Sequence, residues 1–208
     1  MKDAYLLRNK SEAAESLHQY NMTVAVPLGL GIEIVMWDKS GEYIGKEFKT
    51  LCINAGINVE YTATNTPQQN GVCKRDGQTL AQITRCLMKD GNFPPSLWGE
   101  LIFTAAYLSN RSPHSALGGP TPYFRMYNKE ADLSGLRAIG ARAFIHRETY
   151  TRKLDDRSFE GKLCGFSQDR RAYSIYNPAK GTSGNVTFLE TPAYSPPLGV
   201  TSEDYHYE

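Results

Sequence analysis

The chain has 208 residues, of which 40% are hydrophobic and 22% charged, so its composition is that of an ordinary globular protein. Its 23 Lys and Arg residues against 22 Asp and Glu exclude a global basic field, so any nucleic-acid contact would need a local cluster of cations. The four cysteines lack the C-x-x-C spacing of a zinc site and predict reduced thiols in an intracellular protein. No apolar run approaches the ~20 residues of a membrane helix, so we expect no membrane partner.

The first part of the chain is predicted to alternate strands and helices. Predicted strands cover residues 4–8, 32–37 and 57–61, and the strand at 32–37 is rich in β-branched residues and expected to be buried. Predicted helices begin near Ser11 and cover residues 44–55, 72–88 and 96–109. The helix at 44–55 has Phe48, Leu51 and Cys52 on one face, and Gly56 is expected to end it. Residues 62–71 predict irregular backbone, and Trp98 is expected in the core. The alternation indicates an α/β domain over 1–112, although periodicity alone does not select one α/β fold.

The composition changes after Pro113. Proline and glycine predict a connector over residues 113–135. Four regularly spaced short strands follow, at 141–146, 161–166, 172–176 and 185–189, and predict a small antiparallel β-module over 136–190. Few aliphatic residues among prolines, tyrosines and acidic side chains predict a disordered tail over 191–208.

Two motifs in the first part resemble signature segments of the integrases encoded by copia-type retrotransposons. One spans 66–75 and reads Thr-Pro-Gln-Gln-Asn-Gly-Val-Cys-Lys-Arg, where the family reads roughly Thr-Pro-Gln-Gln-Asn-Gly-Val-Ala-Glu-Arg. The other begins at Trp37 and reads Trp-Asp-Lys-Ser-Gly-Glu-Tyr. Further similar segments follow in the family's order, and together they cover most of the chain. They occur at 5–12, 93–100, 107–111, 136–140, 153–157 and 173–178.

The resemblance implies a fold. It predicts an α/β ribonuclease-H-like integrase core over residues 1–112 that lacks its first strand, followed by an SH3-like β-module over 136–190. The strand and helix order described above is the order that this core requires.

The resemblance also implies a metal site, which this sequence carries only in part. Such integrases use an Asp-Asp-Glu triad to hold paired Mg²⁺ or Mn²⁺ ions that activate the nucleophile for attack on a phosphodiester. Asp38 matches the second Asp, and after 35 intervening residues the third position is Lys74. The first Asp would lie before Tyr5 in the family's first strand, which this sequence is expected to lack. A protonated Lys cannot donate a lone pair and repels a divalent cation, so Asp38 is expected to bind metal weakly or not at all, and the chain is expected to be inactive. Asp76 cannot replace the Glu, because it lies about 200° around a helix from Lys74.

Five residues match family positions near bound DNA, and we expect them to contact DNA. They are Gln68, Gln69, Asn70, Lys74 and Arg75. Two plainer interpretations remain open: a polar turn ahead of a helix, and a pair of solvated cations.

Two functions follow. One is a retrotransposon integrase fragment, related to enzymes that join element DNA to target DNA but now inactive. The other is a non-catalytic nucleic-acid or protein-binding module derived from an integrase. Loss of a central strand favours the fragment, because a binding module needs its fold. By resemblance, DNA and further copies of the chain are the expected partners and the nucleus is the expected location; no small-molecule substrate is expected.

Overall fold

The computed structural model describes residues 1–37, 46–61, 67–146, 157–166, 172–179 and 186–188. The chain divides into two compact units, one from Met1 to Gly135 and one that begins at Leu136. The segment predicted to form a disordered tail, 191–208, lies outside the described residues. None of the described helices is long and apolar enough to cross a lipid bilayer.

The first unit contains five α-helices and a short sheet among its described residues. The helices are α1 (Ala13–Tyr20), α2 (Lys46–Asn54), α3 (Pro67–Asp90), α4 (Trp98–Arg111) and α5 (Pro122–Tyr127), and the strands are β1 (Ile34–Trp37) and β2 (Asn58–Tyr61). After α1 the chain continues through a π-helical turn and a 3₁₀ turn. This helical segment ends at Gly29, whose φ of 69° suits a glycine at a helix end. Helix α3 packs against α4, and α4 packs against α5.

Strands β1 and β2 pair in parallel, with Ile34 opposite Asn58, and α2 lies between them in the chain. The inward side of α2 and the start of β2 form a small core of Phe48, Cys52 and Ile57. Burial raises the pKa of the Cys52 thiol. The predicted helix and strand at 44–61 are therefore present, and α2 is followed by Gly56 with a φ of 68°, as its sequence predicts.

The prediction that β1 is buried is wrong for one of its faces. Val35 packs against the α2 core, but Ile34 and Met36, which point the other way, are 50% and 59% exposed. The apolar run of β1 is what a strand covered on both faces requires, whereas α2 covers only one face here.

The predicted strand at 4–8 is also wrong, because residues 1–7 have no regular structure. The main chain of Lys2 is instead held by a side chain of α4. The Lys2 N–H donates to Asn110 Oδ1 at 2.8 Å, and Asn110 Nδ2 donates to the Lys2 carbonyl at 2.6 Å. Further along, Leu6 packs so closely on Gly99 that a Cβ there would lie 2.7 Å from Leu6 Cδ1. A side-chain amide thus satisfies both main-chain groups of Lys2, next to the predicted strand, without a partner strand.

Helix α3 begins five residues before its predicted start, so much of the predicted loop is helical. Pro67 is its first residue, a position that suits proline because its missing N–H would have no partner there. Trp98, at the start of α4, is 53% exposed, so its predicted place in the core is wrong. The inward side of α4 is formed by small or compact residues, including Leu101, Thr104 and Ala105.

The segment predicted to be a connector contains α5, and the residues at the start of this helix are typical of a helix N-terminus. Thr121 caps the helix by accepting a hydrogen bond from the Phe124 N–H at 3.0 Å, and Pro122 follows as the first helical residue. The residues up to Gly135 belong to the first unit.

The described residues of the second unit form a four-stranded antiparallel sheet. Its strands are β3 (Arg142–His146), β4 (Ser158–Phe166), β5 (Tyr173–Tyr176) and β6 (Val186–Phe188), in the spatial order β5-β4-β3-β6. Alternate residues build its core, which consists of Ala143, Ile145, Leu163 and Ile175. The four predicted strands are present, and β4 starts three residues earlier than expected.

Candidate nucleic-acid interface

The predicted site residues fall into three groups in the structure. Asp38 lies outside the described residues, so its predicted closeness to Lys74 stays a prediction. The backbone of residues 68–70 forms the first turn of α3 rather than a loop, and their side chains are not described. Lys74 and Arg75 are exposed near the start of α3.

Arg75 turns back along α3 toward the first turn. Its Nη2 lies 3.6 Å, and its Cζ 3.7 Å, from the point where a Cβ of Gly71 would be. The guanidinium therefore adds its charge to the N-terminal end of the helix, where the unpaired N–H groups already favour anions.

Four basic side chains and two glutamine amides lie on one exposed side of α3. At 3.6 residues per turn, their positions fall within about 100° around the helix axis. We call this side the α3 stripe. It consists of Lys74, Arg75, Gln78, Gln82, Arg85 and Lys89, all exposed.

The α3 stripe contains no carboxylate. The two acidic residues of the helix are Asp76 and Asp90, at about 200° and 160° from Lys74. Within the described part of the chain, none of the four stripe cations forms an ion pair with a carboxylate. On the opposite side, Thr84 is only 6% exposed. The positive charge of the stripe thus faces solvent uncompensated.

This arrangement can bind a row of anions. From Lys74 to Lys89 the stripe is about 22 Å long at 1.5 Å per residue. Lysine ammonium and arginine guanidinium groups donate hydrogen bonds to phosphate oxygens, and glutamine amides add donors between them.

The described residues around position 74 do not fit a catalytic metal. Lys74 presents an ammonium group where the family has a carboxylate, and Asp76 is paired with Lys2 Nζ at 3.2 Å. Among the described residues there is no cluster of three or more His, Cys, Asp or Glu side chains that could hold an ion. We therefore derive no metal-dependent step.

A second polar cluster joins α4 to α5 and is engaged within the protein. The guanidinium carbon of Arg111 lies 3.4 Å from the centroid of the Tyr107 ring and 4.8 Å from that of Tyr123. Tyr123 in turn packs on Tyr127 with ring centroids 4.7 Å apart. Burial, followed by the Asp3 carboxylate, raises the pKa of Tyr127. We interpret this cluster as a structural contact between helices.

Of the four cations of the α3 stripe, only Lys74 and Arg75 lie within the family motif. Arg85 and Lys89 lie beyond the family motif, but their positions on a helical wheel place them beside Lys74. The absence of a carboxylate from the stripe positions between them, which are Gln78 and Gln82, was the available signal.

Comparisons with known proteins agree with the motifs. The family model of the retroviral polymerase SH3-like domain matches residues 141–202, which include the described strands of the second unit. The chain is 34% identical over 192 residues to the retrovirus-related Pol polyprotein from transposon TNT 1-94 of Nicotiana tabacum. That match covers 90% of this chain and 14% of the polyprotein, so the chain spans a small part of its relative.

A solved structure also resembles the chain. It is a chain of the simian T-cell lymphotropic virus intasome in complex with PP2A regulatory subunit B56 gamma, determined by cryo-EM. The TM-score is 0.45 at 16% identity, over 88% of this chain and 62% of that chain, which is too low to decide the fold. The polyprotein and SH3-like matches confirm the retrotransposon origin that the motifs predict: the chain is similar to part of a retrotransposon Pol polyprotein.

Proposed function

We propose that this chain is an integrase-derived region that binds the backbone of double-stranded DNA along the α3 stripe and does not catalyse DNA joining. The observation that carries the proposal is the row of four exposed cations that form no ion pair with a described carboxylate and have none among them. Binding of this kind is driven by release of counterions from the phosphates and needs no sequence-specific contact.

Two features of the stripe favour duplex DNA over a single strand. It lies on one continuous helix of 24 residues, and a duplex presents one phosphate charge per about 1.7 Å of its own axis. Its side chains include no aromatic residue, whereas surfaces that bind single strands stack the bases on aromatic rings.

The first unit supports an incomplete ribonuclease-H-like core as the scaffold. β1 and β2 form a parallel pair with a helix between them, the usual unit of an α/β sheet. β1 has apolar side chains on both faces, whereas in β2 the exposed Asn58 and Glu60 alternate with Val59. This pattern is expected of an inner strand next to an edge strand, so we propose that further strands of the sheet belong beside β1.

The inactivity is proposed from charge and donor type at position 74. An exposed ammonium on α3 replaces the carboxylate that would hold a divalent ion, and Asp76 is engaged by Lys2. By this account neither Mg²⁺ nor Mn²⁺ binds here productively.

Titration of a fluorescein-labelled DNA duplex of about 30 base pairs tests the binding, with fluorescence anisotropy as the readout at about 50 mM salt. We expect the full chain to bind, and a variant with Lys74→Gln, Arg75→Gln, Arg85→Gln and Lys89→Gln to bind at least about tenfold more weakly. Lys129→Gln removes an exposed lysine outside the stripe and serves as the control. Equal binding by the quadruple variant, with its circular dichroism spectrum unchanged, would refute the proposal.

A further inference from the structure

Lys2 is fixed against the start of α3. Its side chain is only 13% exposed, and its Nζ lies 3.2 Å from Oδ1 of Asp76, whose side chain is 47% exposed. The two hydrogen bonds between the Lys2 main chain and Asn110 hold the backbone from which this side chain extends. Asn110 itself is 4% exposed, so the ion pair starts from an anchored position.

Among the described carboxylates, Asp76 is the nearest in sequence to Lys74 and Arg75, the first two cations of the α3 stripe. It follows Lys74 and Arg75 in sequence, and an α-helix with its side chains is only about 10–12 Å across. That distance is close to the Debye length of about 10 Å at 0.1 M salt, so an uncompensated charge on Asp76 would still act on a phosphate at the stripe.

We propose that Lys2 is a positioning residue of the DNA interface that cancels the charge of Asp76 and so raises the affinity of the α3 stripe for the DNA backbone. This inference rests on the proposed function. Lys2 acts through Asp76 and makes no contact with DNA, which distinguishes it from the four stripe cations.

This role predicts a specific pattern in a double-mutant cycle. Lys2→Gln leaves Asp76 uncompensated and should weaken binding about two- to threefold, because one charge acts across roughly a Debye length. Asp76→Asn leaves Lys2 unpaired and should strengthen binding by a similar factor. Lys2→Gln with Asp76→Asn has no net change in charge and should bind as the unaltered chain does. If Lys2 instead contacted phosphate directly, the double variant would stay weak.

The experiment measures these three variants by anisotropy with the same duplex, beside the unaltered chain, Lys129→Gln and the quadruple stripe variant. Recovery of affinity in the double variant supports the inference. It is overturned if Lys2→Gln binds as the unaltered chain does, or if the double variant is as weak as Lys2→Gln. If Lys2→Gln fails to fold, the Asp76→Asn variant tests the inference alone. The inference is then overturned if Asp76→Asn binds the duplex no more tightly than the unaltered chain does. If the unaltered chain fails to bind duplex, the proposed function itself fails, and that result is visible before any Lys2 variant is compared.

Discussion

The side-chain amide of Asn110 pairs with the main chain of Lys2 as a neighbouring strand would. The Lys2 N–H donates to the amide oxygen and the amide nitrogen donates to the Lys2 carbonyl, although 108 residues separate the two in sequence. This contact joins the N-terminal segment to α4 and sets the position from which Lys2 reaches α3.

Replacing Asn110 by alanine should therefore destabilise the first unit. The change removes two hydrogen bonds and leaves polar groups of Lys2 without their partners in a partly buried place, which costs about 1–3 kcal/mol of the free energy of unfolding. Urea denaturation followed by circular dichroism measures it. Asn54→Ala, at an exposed position of α2, is the control and should change stability by less than about 0.5 kcal/mol. Equal effects of the two substitutions would contradict the role assigned to Asn110.

Replacement of glycine by alanine should change the free energy of unfolding in opposite directions at Gly161 and Gly77. At Gly161 in β4, a Cβ would lie 2.5 Å from Ile175 Cγ2 and 2.9 Å from the Tyr176 carbonyl oxygen, so Gly161→Ala should destabilise by about 1–3 kcal/mol. At Gly77 in α3 a Cβ would meet nothing within 4 Å, so Gly77→Ala should stabilise by about 0.5–1 kcal/mol through helix propensity. Urea denaturation checks both, and a shared sign would refute the packing described for β4 and β5.

The ion pair on the surface of the second unit predicts a pH-dependent signal. Arg142 Nε lies 2.6 Å from Glu160 Oε1, and Arg142 Nη2 lies 2.9 Å from Oε2. This hydrogen bonding, with the charge of the guanidinium, lowers the pKa of Glu160. The side-chain carboxyl ¹³C shift of Glu160 should therefore titrate below the ordinary glutamate range and return to it in Arg142→Gln. Because the folded pKa is the lower one, the stabilisation is present above the unfolded pKa and is lost as pH falls through the folded pKa. A titration unchanged by Arg142→Gln would contradict this pairing.

The chain should neither cut nor join DNA with Mg²⁺ or Mn²⁺, and Lys74→Glu alone should not restore activity. The substitution supplies one carboxylate and removes the opposing charge, but among the described residues no cluster of three or more His, Cys, Asp or Glu side chains could hold an ion, so paired metals would still lack ligands. A strand-transfer assay with the element's own terminal sequence measures this. Product from the unaltered chain would overturn the interpretation of Lys74, and product from Lys74→Glu would mean that another residue supplies the missing ligand.

Local signals predicted the elements that depend on nearby residues. The spacing of Phe48 and Cys52 marked the inward side of α2, and Gly56 marked its end. Pro67 and Pro122 were interpreted as parts of irregular segments, although proline is equally suited to the first position of a helix. In both cases the structure places a helix start at the proline.

Contacts between distant residues could not be predicted from one sequence. Residues 4–7, part of the strand predicted at 4–8, have no regular structure, and the contact just before them joins Lys2 to Asn110, 108 residues along the chain. The ion pair between Lys2 and Asp76 likewise joins residues that are far apart in sequence. The cations at Arg85 and Lys89, in contrast, were available from helical periodicity but lay outside the motif that guided the site prediction.

The salt dependence of duplex binding tests the central claim most directly, because it counts the phosphates that the protein neutralises. The logarithm of the association constant falls with the logarithm of salt concentration by about 0.9 for each phosphate neutralised. Measured between about 50 and 200 mM salt, the slope for the unaltered chain should exceed that of the quadruple stripe variant by roughly 3–4, while Lys129→Gln should leave it unchanged. The same slope for the unaltered chain and the quadruple variant would contradict the assignment of the α3 stripe as the DNA-binding surface.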